Sequence, residues 1–193
     1  VDHRDGTVAF EQLGVEFPSS WSVTASNIVA QKYFRGPEGR RESSLRQVID
    51  RVVDTIAAWG QRDGYFADAD EEATFSEELR YLLVNQLVSF NSPVWFNIGV
   101  PGVAQQASAC FILDVEDDLR SILNWYVEEG LIFKGGSGAG ANLSKIRSSS
   151  EQLGNGGVPS GPVSFMRGAD ASAGTIKSGG TTRRAAKMVI LDA

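Results

Sequence analysis

The sequence has one cysteine, Cys110, and one histidine, His3, in 193 residues. A lone cysteine excludes an internal disulfide and a multi-cysteine zinc site, and a lone histidine in a polar segment excludes a histidine-built metal centre, so the expected metal ligands are none. No apolar run approaches the roughly 20 residues that span a bilayer. Val1 to Phe10 carries charges where a secretory leader needs an apolar stretch, so the chain reads as cytoplasmic and without a membrane partner. Positive charge is also short, with a formal net charge of −6, which argues against gripping nucleic acid through counterion release. Any nucleotide bound is expected to be small. What is present, 42% hydrophobic and 22% charged residues, is enough for a sizeable core in one large or two small domains.

The first forty residues are punctuated by turn signals at Gly14, Pro18, Gly36, Pro37 and Gly39, with one short helix expected over Thr24 to Phe34. From Ser44, the residues Leu45, Val48, Ile49, Val52, Val53 and Ile56 follow helical spacing, and Gly60 is read as the stop. A second helix is expected from about Glu71 to Ser89, acidic in its first turn, with Phe75, Leu79, Leu82, Leu83 and Gln86 on one side.

Farther on, Ala109 to Leu113 reads as a short buried strand. A helix follows over Glu116 to Glu129, with Leu119, Ile122, Leu123 and Tyr126 inward and Gly130 as terminator. Leu131 to Phe133 is another short apolar run before the glycine-rich Gly135 to Gly140. A further helix opens at Ser160 with Pro162 in its first turn, and Met188 to Leu191 reads as a last strand. Strand alternating with helix is the grammar of an α/β fold. A domain seldom stops on an unpaired inner strand, so the chain reads as truncated.

Four segments invite chemistry, each with a plainer alternative. Gly135-Gly136-Ser137-Gly138-Ala139-Gly140 resembles an anion nest, but it lacks the Lys-Ser/Thr pair of a P-loop and equally suits a tight turn. Cys110 lies in an apolar run, where free cysteines more often act as small hydrophobes than as nucleophiles. Lys177-Ser178-Gly179-Gly180-Thr181-Thr182-Arg183-Arg184 gathers cations, hydroxyls and glycines, as an anion-binding loop or a solvated basic loop would. Asn91-Ser92-Pro93-Val94-Trp95-Phe96-Asn97 reads on its own as a core corner.

In this order, and together with Ile28 to Arg35, Asn124 to Arg147, Ser160 to Asp170 and Gly174-Thr175-Ile176-Lys177-Ser178-Gly179-Gly180, the segments resemble the large chain of the adenosylcobalamin-dependent (class II) ribonucleotide reductases. The resemblance implies an α/β fold in which an N-terminal helical region (1–90) precedes the first part (91–193) of a ten-stranded α/β barrel, left incomplete here. It implies an oxidoreductase that makes deoxyribonucleotides for DNA replication, with adenosylcobalamin bound mostly outside this chain.

By the same resemblance, Cys110 is one member of the redox cysteine pair. Ser92, Ser108, Ala109, Gly136, Gly138 and Gly140 hold the ribonucleotide substrate. Residues 154–160 and 175–184 are the two specificity loops, with Asp170, Lys177, Ser178, Arg183 and Arg184 toward a dNTP effector. The radical cysteine, its asparagine and glutamate neighbours and the second redox cysteine are absent from these 193 residues, so the chain is expected to be inactive alone. Its expected partners are the remainder of the reductase chain and, when complete, a second copy in a homodimer. Two alternatives stand: a noncatalytic nucleotide-sensing module, and a class I large chain using a metal-radical subunit.

Overall fold

A computed structural model describes residues 2–37, 39–154, 156–176 and 185–192. The chain forms two compact units, Val1–Ala107 and Ser108–Ala193, so by contacts the division falls after Ala107.

The first unit is helical. Helix α1 (Val23–Lys32) is capped by the Ser22 side chain, which accepts from the Ala25 N–H. Helix α2 (Leu45–Arg62) opens on a reciprocal cap. The Gln47 N–H donates to Ser44 Oγ at 3.2 Å and the Ser44 N–H to Gln47 Oε1 at 3.2 Å, which satisfies two otherwise orphaned donors. Its apolar stripe Leu45, Val48, Ile49, Val52, Val53 and Ala57 is buried as the spacing requires. Gly60 does not stop α2. The helix runs on to Arg62, and a Cβ at Gly60 would lie 2.6 Å from the Phe66 ring, so this glycine makes room for an aromatic side chain.

Helix α3 (Ala69–Val84) starts at the Asp68 cap and carries Asp70, Glu71 and Glu72 where the helix dipole favours negative charge. It ends five residues before the expected Ser89, because Gln86 takes a left-handed φ of 57° that no helix accommodates. Leu83 packs with Ile49 and Val53. Arg80 Nε reaches Asp50 at 2.8 Å, and the same guanidinium also pairs with Asp54. The short α4 (Ser92–Asn97) has Pro93 in its first turn and inserts Val94 and Ile98 against Val52.

The second unit alternates strand and helix: β1 (Cys110–Asp114), α5 (Leu119–Lys134), β2 (Gly138–Asn142), α6 (Gly161–Thr175) and β3 (Lys187–Ile190). The strands form a parallel sheet in the order β1-β2-β3, the topology that helical crossovers permit. Four expectations need correction here. Gly130 does not terminate α5, because Ile122, Trp125, Glu129 and Phe133 carry one buried stripe straight through it. Residues 131–133 therefore belong to that helix. Leu119 and Leu123, expected inward, are exposed because the buried stripe turns toward Trp125. The glycine run is not simply a turn: Gly136, at φ 83°, makes the turn, and Gly138 begins the central strand.

The fourth correction concerns β1, which alternates in exposure and is not buried throughout. Phe111 and Leu113 align with Ala139 and Ala141 of β2, which in turn align with Lys187 and Val189 of β3. Leu113, Ala141 and Val189 pack in one cluster with Ile122, Trp125 and Ala169, so this face is roofed by α5 and α6. Successive side chains of a strand point to opposite faces, so Cys110, Ile112, Gly138, Gly140, Met188 and Ile190 share the other face. No described residue of this unit covers Ile112, which is 92% exposed.

Candidate active site

Cys110 opens β1 on the uncovered face of the sheet, and its side chain is exposed. Its register partner is Gly138, and Gly140 is paired with Ile112 two residues along. The thiol therefore stands beside two positions that carry no side chain, which leaves open floor next to the sulfur. At Gly140 an added Cβ would meet nothing closer than 3.8 Å within this unit, so local packing does not demand glycine there. At Gly138 a Cβ would come within 3.1 Å of the Ala186 carbonyl oxygen and would need that strand to yield.

Hydrogen bonds fix the approach to β1. The Gly138 N–H donates to the Ala109 carbonyl at 2.8 Å, and the Ser108 hydroxyl donates to the Cys110 carbonyl at 3.1 Å. The Ser137 hydroxyl donates to the Ser108 carbonyl at 2.5 Å. Ser137 is buried and locks the glycine turn to the residues before the thiol. Ser137 was not among the candidate residues read from the sequence, where it stands only as one member of the glycine run.

Ser108, Ala109, Cys110, Gly136, Gly138 and Gly140 thus converge on one end of one sheet. Ser92 belongs to the first unit, where its Oγ lies 3.2 Å from the Tyr33 hydroxyl. Its helix is held by Arg51, whose guanidinium pairs with Glu42 at 2.7 Å and donates to the carbonyls of Ile98 (2.5 Å), Trp95 (3.2 Å) and Tyr33 (3.4 Å). Neither Arg51 nor Glu42 was singled out by sequence, because an arginine on a helix looks like a solvated residue until its carbonyl partners are seen.

Asp170, exposed on α6, lines a cavity of about 500 Å³ with Ala173, Gly174, Ile176, Ala185 and Lys187. Lys177, Ser178, Arg183 and Arg184 lie outside the described residues. At the far end of β1, Lys145 Nζ bonds Asp114 at 2.9 Å and Glu116 at 2.5 Å, and the lysine holds the Asp114 carboxyl below its ordinary value.

Residues 108–193 match the ribonucleotide reductase barrel domain, and residues 1–38 and 36–86 match the class II vitamin B12-dependent ribonucleotide reductase family. This chain belongs to the vitamin B12-dependent ribonucleotide reductases. It is similar to the vitamin B12-dependent ribonucleotide reductase of Streptomyces coelicolor, 66% identical over 191 residues covering 98% of this chain and 20% of that protein. The corresponding protein of Rhodopirellula baltica is 43% identical over 218 residues, covering 97% of this chain and 21% of the relative. A vitamin B12-dependent ribonucleoside-diphosphate reductase of Mycobacterium tuberculosis is 32% identical over 182 residues, 93% of this chain and 25% of that protein. The chain spans about a fifth of the length of these Streptomyces and Rhodopirellula relatives. All three relatives are named for vitamin B12, which disfavours the metal-radical alternative. The fold agrees with the family at the coarser level: helices first, then a parallel α/β sheet where the barrel domain matches.

Proposed function

We propose that this chain supplies the first redox thiol and part of the substrate floor of an adenosylcobalamin-dependent reductase that converts ribonucleotides to deoxyribonucleotides. The supporting observation is the exposed Cys110 thiol on an uncovered sheet face, level with the bare positions Gly138 and Gly140. A ribose laid on that floor is brought close to sulfur without a side chain between them. Such positioning confines reaction to one carbon.

In the overall reaction the 2′-hydroxyl leaves as water, and two thiols supply the hydrogens and electrons while becoming a disulfide. Cys110 is one of the two; the second comes from elsewhere in the complete protein, because this sequence has one cysteine. Ser108, Ala109 and Gly136 shape the floor, and Ser92, at the start of the proposed barrel part (91–193, after a helical region 1–90), is a further substrate contact. Asp170 and residues 177–184, including Lys177, Ser178, Arg183 and Arg184, are proposed to answer a dNTP effector and couple its base to substrate choice.

Adenosylcobalamin supplies the radical initiation when bound. Its pocket is taken to lie mostly outside this chain, and the chemistry assigned to these residues stops at the thiol and the floor. We take the complete enzyme to work as a cytoplasmic homodimer. No described helix is long and apolar enough to cross a membrane.

The decisive experiment is Cys110→Ser in the complete reductase. Dithiol-driven turnover should fall by about 10³-fold or more, with ribonucleotide affinity near that of the parent enzyme. Turnover equal to the parent would remove the thiol's role.

A further inference from the structure

The backbone that leads into the thiol is held by two kinds of hydrogen bond, and only one kind belongs to the sheet. The ladder between β2 and β1 opens where the Gly138 N–H donates to the Ala109 carbonyl at 2.8 Å. Bonds of a parallel ladder are evenly spaced, so a rung before this one would have to come from Gly136. That amide is committed elsewhere. Gly136, turned by its φ of 83°, donates to the Phe133 carbonyl at 3.0 Å, and the Ser137 N–H donates to the Ile132 carbonyl at 3.2 Å. Both serve carbonyls at the end of α5, which a helix leaves without donors of its own. With these three amides spent, the backbone of the turn offers Ser108 nothing.

The Ser137 side chain takes the place of the missing rung. Its hydroxyl donates to the Ser108 carbonyl at 2.5 Å, and the Ser108 hydroxyl donates in turn to the Cys110 carbonyl at 3.1 Å. Three successive carbonyls, those of Ser108, Ala109 and Cys110, therefore each receive a donor. They lie where the stretch 104–109, neither helix nor strand, enters β1. Holding the peptides on both sides of the Cys110 Cα fixes the direction in which its side chain leaves the strand. Ser137 is 3% exposed, and the buried positions two and four residues farther on are alanines, Ala139 and Ala141. An alanine would fill a buried site of this size without needing a partner, so the bond to Ser108 is what the hydroxyl adds.

We propose that Ser137 is a positioning residue for the reaction: its hydroxyl holds the Ser108 carbonyl in place of a ladder amide, and so aims the Cys110 sulfur over the glycine floor. This rests on the reading of Cys110 as a redox thiol. Ser137 acts through the backbone of residues 108–110 and not by contact with a ligand. Its loss leaves the strand register to Gly138 and the pairs that follow, while the peptide before the thiol is freed.

The test compares Ser137→Ala, Ser137→Thr and Cys110→Ser in the complete reductase. In Ser137→Ala, kcat for dithiol-driven reduction should fall by about tenfold, because a reacting group displaced by a fraction of an ångström loses rate before it loses binding. KM for the ribonucleotide should stay within about threefold, since Ser92, Gly138 and Gly140 are untouched. The cobalamin absorbance change that marks radical initiation should keep the parent's amplitude, because initiation does not use Cys110. Ser137→Thr retains the hydroxyl and should turn over faster than Ser137→Ala. Parent-like kcat in Ser137→Ala would overturn the proposal, as would a loss confined to KM, a parallel loss of radical initiation, or a threonine variant no faster than the alanine. Cys110→Ser separates this inference from the reading beneath it. Parent-like turnover there removes the thiol's role and the proposal together, whereas an inactive Cys110→Ser beside a parent-like Ser137→Ala removes the proposal alone.

Discussion

The two faces of the three-stranded sheet are built from the same strands and share almost nothing else. Toward α5 and α6, Leu113, Ala141 and Val189 meet Ile122, Trp125 and Ala169 in a closed cluster, and Trp125 is 1% exposed. On the opposite side, Ile112, Met188 and Ile190 stand exposed around two glycines and a thiol. Parallel sheets are ordinarily covered on both faces, so the apolar side chains exposed here are positions that a ligand or the rest of the complete protein can cover. One face is organised by packing and the other by vacancy. The chemistry proposed above sits where packing is absent.

The sharpest way to break this contrast is to truncate one large side chain on each face. Trp125→Ala empties a closed site and should cost about 3–5 kcal/mol in urea unfolding of this chain followed by circular dichroism. Ile112→Ala should change the same measurement by less than about 0.5 kcal/mol, because the side chain is already in water. In the complete reductase the asymmetry should shrink, with Ile112→Ala costing about 2 kcal/mol or more once the face is covered. Equal costs for both substitutions in this chain would mean that the open face is not open.

A smaller effect is expected at the vacancy itself. Gly140→Ala places a methyl group on the floor where the nearest atom is 3.8 Å away, so folding should be nearly untouched. Substrate affinity in the complete enzyme should weaken by about tenfold, since the methyl occupies space assigned to the ribose. Unchanged KM and kcat in this variant would show that the glycine serves no ligand. Gly138→Ala does not separate the two explanations, because its Cβ already crowds Ala186.

How much of this was readable in the chain depends on which force set each element. Helix α2 was legible because burial and capping agree: Ser44 and Gln47 mark its start, and Val48, Val52 and Val53 keep the helical period. Gly60 and Gly130 misled for a common reason. Glycine is read as a helix stop, but here it admits Phe66 and Ile176, partners that only the folded structure supplies. The apolar run of β1 suggested burial, although half of it faces outward; composition cannot tell a core from a receiving surface. Strand β2, rich in glycine, carries almost no strand propensity, and its pairing with β1 and β3 overrides that. Cys110 was proposed through the family pattern of neighbouring segments, since its residue type alone favoured an inert side chain. The buried pair of Glu129 and Lys187, 2.6 Å apart in the fold, joins residues 58 positions apart, and nothing local in the sequence links them.

The mildest perturbation of the contrast is acid. Asp114 closes β1 on the open face, and its carboxyl is held below the ordinary value, first by the hydrogen bond from Lys145. A carboxyl whose folded value is depressed binds protons more readily in the unfolded chain, so its contribution is present above the unfolded value near 4 and disappears as pH falls through the folded one. Lys145 is raised in turn, by Glu116 first and Asp114 second, so its contribution is complete below its unfolded value and is lost only at strongly alkaline pH. Both partners are solvent-exposed, so salt should screen the effect. Asp114→Asn should therefore lower the melting temperature at pH 7 by a small, salt-sensitive amount and change it still less at the acid end, so that the acid limb is flatter. A large loss at neutral pH would instead make Asp114 part of what holds the open face in shape, and the division between a packed face and a vacant one would fail at that corner.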